Sequence, residues 1–101
     1  MELTYHAKVE RADRIRMIEQ EIGFGTVIKE VYHNGCFQCL TNTGIILVKD
    51  DNRELLITAF VATQRELVMM YGGTKKIPPY LRKKVDHNQS LFTMDGKTVV
   101  R

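Results

Sequence analysis

The first predicted helix carries three residues whose spacing suits proton transfer beside a phosphate. His6, Glu10 and Arg14 recur every four residues, so they share one side of a helix. A histidine titrates near neutral pH and can move protons, while an arginine neutralises phosphate oxygens. Cleavage of a phosphodiester through a 2′-hydroxyl needs both a group that transfers a proton and a cation beside the phosphate. The alternative is a surface histidine beside an ordinary Glu10–Arg14 ion pair.

Two further polar residues stand where apolar ones are expected. Arg11 lies within the apolar stripe of the first helix, and Thr58 is the polar residue of the apolar run 55–62. An unpaired charge on a core-facing stripe is costly, so we expect Arg11 to be buried against a carboxylate, a carbonyl or an anion. The Thr58 hydroxyl is a candidate to bind phosphate or to orient His6. Alternatively, threonine is present because its branched Cβ suits a strand.

A basic segment over residues 74–84 is the strongest charge feature of the chain. It contains five cations and no acid, whereas the net charge of the whole chain is +3, so the remaining residues sum to −2. The cations are Lys75, Lys76, Arg82, Lys83 and Lys84. Such a local patch indicates an anionic partner, and we predict that it contacts the RNA backbone. A solvated helix face is the alternative.

The run 33–39 invites a zinc interpretation that the remaining residues do not support. Zinc needs four ligands, and beyond His33, Cys36 and Cys39 the chain offers two other histidines, His6 and His87. On a regular strand the two cysteines also point to opposite faces. We therefore expect two structural thiols, no metal and no cofactor. Free thiols favour a reducing, cytoplasmic setting.

Helices and strands must position these residues, and the spacing of apolar and turn residues along the chain predicts an α+β fold. We predict two N-terminal helices, over residues 5–22 and 26–35, because apolar residues recur at helical spacing in both. The second segment is β-branched, so a strand is its alternative. Short turns separate three strands at 36–41, 45–49 and 55–62, which forces an antiparallel meander. The third strand is apolar on both faces, so both faces should be covered.

The C-terminal third predicts a helix, the basic segment and a terminal hairpin. Thr63 and Glu66 form the capping box of a helix that Gly72-Gly73 ends. Its Met69-Met70-Tyr71 run is predicted as core, and an adaptable binding surface is the alternative. Pro78-Pro79 permits a further helical turn, and Asp95-Gly96 indicates a two-residue hairpin turn. We predict one domain over residues 1–86 and a tail or β-hairpin over 87–101, docked on another element or on a second protomer as a homodimer. The uncharged run 36–48 is too short to span a bilayer, and no signal peptide is visible, so we predict no membrane contact.

Residues 4–63 resemble small bacterial and phage-borne domains of the barnase, EndoU, colicin and RelE ribonuclease-like class. The features that match are Thr4-Tyr5-His6-Ala7, Arg11, Arg14, residues 27–35 and residues 55–60. The resemblance implies metal-independent RNA binding or cleavage, or a toxin with a partner antitoxin. It also implies the site residues His6, Arg11 or Arg14, and Thr58, so that all four are candidate catalytic residues. A phage accessory protein that acts through protein contacts, without catalysis, is the alternative.

Overall fold

The structure, a computed structural model, describes residues 2–3 and 12–91, with side chains from residue 14 onward. In these ranges a two-residue strand and a helix precede four strands, and two helices follow. The strands are β1 (Glu2–Leu3), β2 (Val27–His33), β3 (Cys36–Thr41), β4 (Ile45–Lys49) and β5 (Leu55–Val61). The helices are α1 (Ala12–Glu21), α2 (Gln64–Tyr71) and α3 (Pro79–Asn88), with a 3₁₀ turn at Thr74–Lys76 before α3.

All five strands belong to one sheet with the order β1-β5-β4-β3-β2. Strands β2 to β5 form an antiparallel meander, while β1 runs parallel to β5 and pairs with Leu55 and Leu56. The prediction of two N-terminal helices, a three-stranded meander and one C-terminal helix is therefore wrong. The described chain places one helix before a four-stranded antiparallel meander and two helices after it.

The segment predicted as a second helix is the edge strand β2. Asn34 and Gly35 have φ values of 51° and 79°, the positive values that a two-residue hairpin turn requires. This turn pairs His33 with Cys36 and sends the chain back as β3. Because β2 lies at the edge, its apolar Val27 and Ile28 are exposed rather than gathered on a buried helix face. Strand propensity and cross-strand pairing therefore outweigh the four-residue spacing.

The sheet separates two apolar cores, one on each of its faces, and β5 contributes residues to both cores. The core on the α1 side contains Ile15, Ile18, Cys39, Ile45, Leu47, Leu56, Ala59 and Val61. The core on the α2 and α3 side contains Leu40, Ile46, Phe60, Ala62, Leu67, Ile77, Leu81 and Val85. The prediction that both faces of this strand are covered is confirmed.

The turn between β3 and β4 fastens both helical layers to the sheet. On one side, Thr43 Oγ1 donates a hydrogen bond to the Gly23 carbonyl, 2.8 Å away, at the end of α1. On the other side, Asn88 Nδ2 at the end of α3 donates to the Thr43 carbonyl over 2.9 Å. Gly44 has φ +83°, and a Cβ there would lie 3.0 Å from Asn88 Nδ2, so both conformation and space require glycine.

The predicted helix boundaries in the C-terminal third are confirmed. Thr63 and Glu66 form the capping box of α2, Gly72 ends that helix in the left-handed conformation, and α3 begins at Pro79. The predicted hairpin at Asp95-Gly96 lies outside the described residues. The proposed division after residue 86 stays a prediction, although α3 continues to Asn88. Within the described ranges, no helix has the length and apolar character needed to cross a membrane.

Candidate nucleic-acid interface

Two of the four predicted catalytic residues meet between α1 and β5. Arg14 Nη2 donates a hydrogen bond to Thr58 Oγ1 at 2.5 Å, and Arg14 Nε donates to the Ala59 carbonyl at 2.9 Å. The guanidinium is half-buried, and such charge-assisted bonds are stronger than neutral ones. These contacts hold α1 on the strand. His6 and Arg11 lie outside the described residues, so their predicted roles stay predictions.

The predicted basic segment becomes a groove along one face of α3. Tyr80, Lys83, Lys84 and His87 follow one another at three- and four-residue spacing, so they share that face. Together they line an open groove of about 430 Å³, called here the α3 groove. The Tyr80 residue is 49% exposed, and no acidic residue is among the described residues that line the groove. The described residues that line the groove are therefore aromatic or basic.

The other predicted cations lie elsewhere on the surface. Arg82 shares a different flank of α3 with Asp86, four residues on. Gln64 Nε2 donates to Asp86 Oδ1 at 2.8 Å and to the Arg82 carbonyl at 3.0 Å, which joins α2 to this flank. Lys75 and Lys76 are exposed on the 3₁₀ turn that precedes α3. The structure therefore brings together two of the five predicted cations.

The face that α3 buries decides which residues form the groove. Leu81, Val85 and Asn88 are buried, with Asn88 fixed to the β3–β4 turn. Helical geometry then turns Tyr80 and His87 outward beside the lysines. Neither residue was predicted as a site residue. Their spacing from the lysines was visible in the sequence and could have identified them.

A second concave site lies on the same side of the sheet, between α2 and strands β2 and β3. This cleft, called here the α2 cleft, has a volume of about 270 Å³. It is lined by Val31, His33, Gln38, Glu66, Met69 and Met70. Met69 is 73% exposed, so the prediction that it belongs to the core is wrong. Met70 and Tyr71 are half-buried against the α2 and α3 side core, as predicted.

Lys29 and Tyr71 form a cation–aromatic contact next to residues of the α2 cleft, and Tyr80 lines the α3 groove. Lys29 is two residues before Val31 on β2, and its Nζ lies 4.9 Å from the centroid of the Tyr71 ring. Burial raises the pKa of Tyr71, and the nearby Tyr80 phenol raises it further. Tyr71 is the last residue of α2 and Tyr80 lies in the first turn of α3, and these two helices contact each other.

The opposite face of β2 carries an ion pair that is separate from this surface. Arg53 Nη2 lies 2.7 Å from Glu30 Oε1, and the guanidinium carbon lies 3.8 Å from the Phe37 ring centroid. The hydrogen bond from Arg53 lowers the pKa of Glu30. Burial, and then the hydrogen bond to Glu30, raise the pKa of Cys39, which disfavours a nucleophilic thiolate. Across the described residues, no three histidine, cysteine or acidic side chains cluster as metal ligands.

No protein-family model, curated protein or solved structure matches this chain. Function is therefore proposed from the residues and geometry of the α3 groove and the α2 cleft.

Proposed function

We propose that the protein binds single-stranded RNA through the α3 groove. The observation that carries this proposal is the exposed Tyr80 ring on the same helix face as Lys83, Lys84 and His87, with no acid lining the groove. Proteins that bind single strands combine a basic groove with aromatic rings on which bases stack. Residues outside 74–84 sum to −2, which favours the segment that carries this face over the rest of the chain.

The two lysines and the tyrosine of the groove have distinct parts in this binding. Lys83 and Lys84 contact successive phosphates and release their counterions. Tyr80 stacks on an unpaired base, which a continuous duplex does not offer. The exposed Lys75 and Lys76 extend the positive field at the N-terminal end of α3. The resemblance to ribonuclease-like domains favours RNA over DNA.

Binding of a short labelled RNA, followed by fluorescence anisotropy, tests the proposal. Lys83→Ala should weaken binding more than Arg82→Ala, although each substitution removes one positive charge from an exposed position of α3. Tyr80→Ala should weaken binding by about 1–3 kcal/mol, roughly 5- to 150-fold in Kd. Absence of RNA binding, or equal losses for Lys83→Ala and Arg82→Ala, would contradict the proposal.

Cleavage of the bound strand is the further step that the family resemblance implies. In this step a 2′-hydroxyl loses its proton to His6 and its oxygen attacks the adjacent phosphorus, while the bond from phosphorus to the 5′-oxygen breaks and that oxygen takes up a proton from water. Arg11 and Arg14 neutralise the phosphate in this cytoplasmic, metal-independent reaction. The hydrogen bond between Arg14 and Thr58 supports this step because it makes two of the predicted residues neighbours. A nuclease assay with His6→Ala decides it.

The exposed edge of the sheet supports a second candidate function, that of a protein-binding accessory protein. Within the described residues β2 has no neighbour on its outer side, and Val27, Ile28 and Tyr32 are exposed there. An unpaired edge strand can pair with a strand from an antitoxin or from a second copy of the chain. Light scattering measures whether the chain dimerises, and Ile28→Pro, which blocks added strand pairing, should abolish such a complex.

A further inference from the structure

We propose that the α2 cleft receives one base of the bound RNA and favours a base with an exocyclic amino group over uracil. This inference rests on the proposed RNA binding, because it assigns the cleft to the same ligand as the α3 groove. Nothing in the α3 groove itself distinguishes one base from another. The cleft would add sequence preference to a groove that binds any single strand.

The size and apolar lining of the α2 cleft suit a single flat ring. Its volume of about 270 Å³ lies just below the roughly 300–1,000 Å³ of most small-molecule sites. Val31, Met69 and Met70 supply apolar surface, and unbranched methionines adapt to a planar ligand. The exposure of Met69 leaves this lining accessible from solvent. A base can therefore lose water against the cleft without displacing a packed side chain.

Three polar residues of the cleft can recognise the edge of a base. The Gln38 amide carries donors and an acceptor, and amides read the edges of bases by paired hydrogen bonds. Glu66 lines the same cleft, and a carboxylate accepts hydrogen bonds from the amino group of a base. The third residue, His33, also lines the cleft, and an imidazole nitrogen can donate or accept a hydrogen bond at the edge of a base. Its Nε2 atom lies 3.0 Å from Asn34 Nδ2.

The capping box fixes the Glu66 carboxylate before any ligand arrives. Glu66 Oε1 accepts hydrogen bonds from the Thr63 amide at 2.9 Å and from Thr63 Oγ1 at 3.0 Å. A held carboxylate loses little side-chain freedom when it binds a base. Its negative charge also repels phosphate, so the cleft should take the base while the backbone remains outside.

Lys29 and the two tyrosines give the strand a route from the α3 groove to the α2 cleft. Lys29 Nζ lies over the Tyr71 ring and Lys29 is two residues from Val31 in the cleft, while Tyr71 and Tyr80 lie on the contacting helices α2 and α3. A strand that stacks on Tyr80 can pass Tyr71 with a phosphate near Lys29. This arrangement provides cations outside the cleft for the anionic backbone and a carboxylate inside it that accepts hydrogen bonds from a base amino group.

Methyl NMR of the full chain tests occupancy of the cleft directly. With ¹³C-methyl methionine, titration with CMP, AMP or GMP should shift the Met69 and Met70 signals, and UMP should shift them less. Met17 packs against the core on the α1 side, so its signal provides an internal control. If none of the nucleotides shifts Met69 or Met70, or if UMP shifts them most, the inference is overturned.

Two conservative variants test base selection with RNA oligonucleotides. Glu66→Gln retains the capping box, which accepts glutamine, and Gln38→Leu keeps a similar volume without the amide. Each should bring the ratio of cytosine-rich to uracil-rich affinities close to one without changing the salt dependence, which the α3 groove sets. Retained RNA binding with an unchanged base ratio in both variants overturns the cleft inference alone. Absence of RNA binding to the wild-type chain overturns the proposed function and this inference together.

Discussion

Replacing Asn88 by alanine should release the end of α3 that carries the groove. The Asn88 residue is 1% exposed, and its Nδ2 donates to the Thr43 carbonyl over 2.9 Å. The substitution removes this hydrogen bond, deprives the carbonyl of its donor and leaves unfilled space beside the neighbouring side chains. Removing one partner of a buried hydrogen bond costs about 1–3 kcal/mol. At about 2 kcal/mol, Tm should fall by roughly 8–16 °C for a domain of this size.

Thermal and urea unfolding, followed by far-UV circular dichroism, measure this change in stability. His87→Ala is the matched control because it is adjacent on α3 but exposed. Exposed substitutions usually change the unfolding free energy by less than about 0.5 kcal/mol. If Asn88→Ala unfolds within that margin of the wild type, Asn88 does not fasten α3 to the β3–β4 turn. Asn88 would then not determine which face of α3 is exposed.

Three further predictions address the other contacts. Thr58→Val should lower the unfolding free energy by about 1 kcal/mol in the wild type and by less in an Arg14→Met background, because the hydrogen bond is already absent there. A double-mutant cycle that shows no coupling between the two substitutions would contradict the Arg14–Thr58 hydrogen bond. Arg53→Ala should raise the pKa of Glu30 measured by NMR, because Arg53 lowers it in the folded chain. Because the pKa of Glu30 is lower in the folded chain, the ion pair stabilises the fold above the unfolded pKa of about 4.3, and this stability is lost as pH falls through the folded pKa. If the Arg53→Ala variant loses stability with falling pH as the wild type does, the Arg53–Glu30 ion pair is contradicted. His6→Ala should abolish RNA cleavage in the presence of EDTA without changing Tm, and undiminished cleavage would remove His6 from the mechanism.

Local sequence rules predicted the parts of the fold that short-range contacts determine. The capping box of Thr63 and Glu66, the glycine that ends α2 and the start of α3 at Pro79 each depend on residues within one helical turn. The prediction of a helix over residues 26–35 is wrong because it rests on the helical spacing of apolar residues and not on the Asn34-Gly35 pair near the end of the segment. The same pair is a strong hairpin signal, and pairing with β3 decides between the two structures.

The candidate site depended on contacts that the sequence pattern does not reveal. The cations of residues 74–84 were visible, but which of them share a groove depends on how α3 docks. That docking uses the Asn88–Thr43 bond, which joins residues 45 positions apart. The α2 cleft was missed because it requires β2 beside α2, and β2 had been predicted as a helix. Arg14 and Thr58 were both singled out, yet their hydrogen bond also joins distant positions.

The salt dependence of RNA binding tests the central claim, that Lys83 and Lys84 contact the RNA backbone. For a single strand, the slope of log K against log salt concentration decreases in magnitude by about 0.7 for each phosphate that the protein no longer neutralises. Lys83→Ala with Lys84→Ala should therefore reduce the slope by about 1.4. Arg65→Ala with Arg82→Ala removes the same charge from exposed positions outside the α3 groove, so that control should retain most of the wild-type slope. Equal slopes in both double variants would contradict the claim.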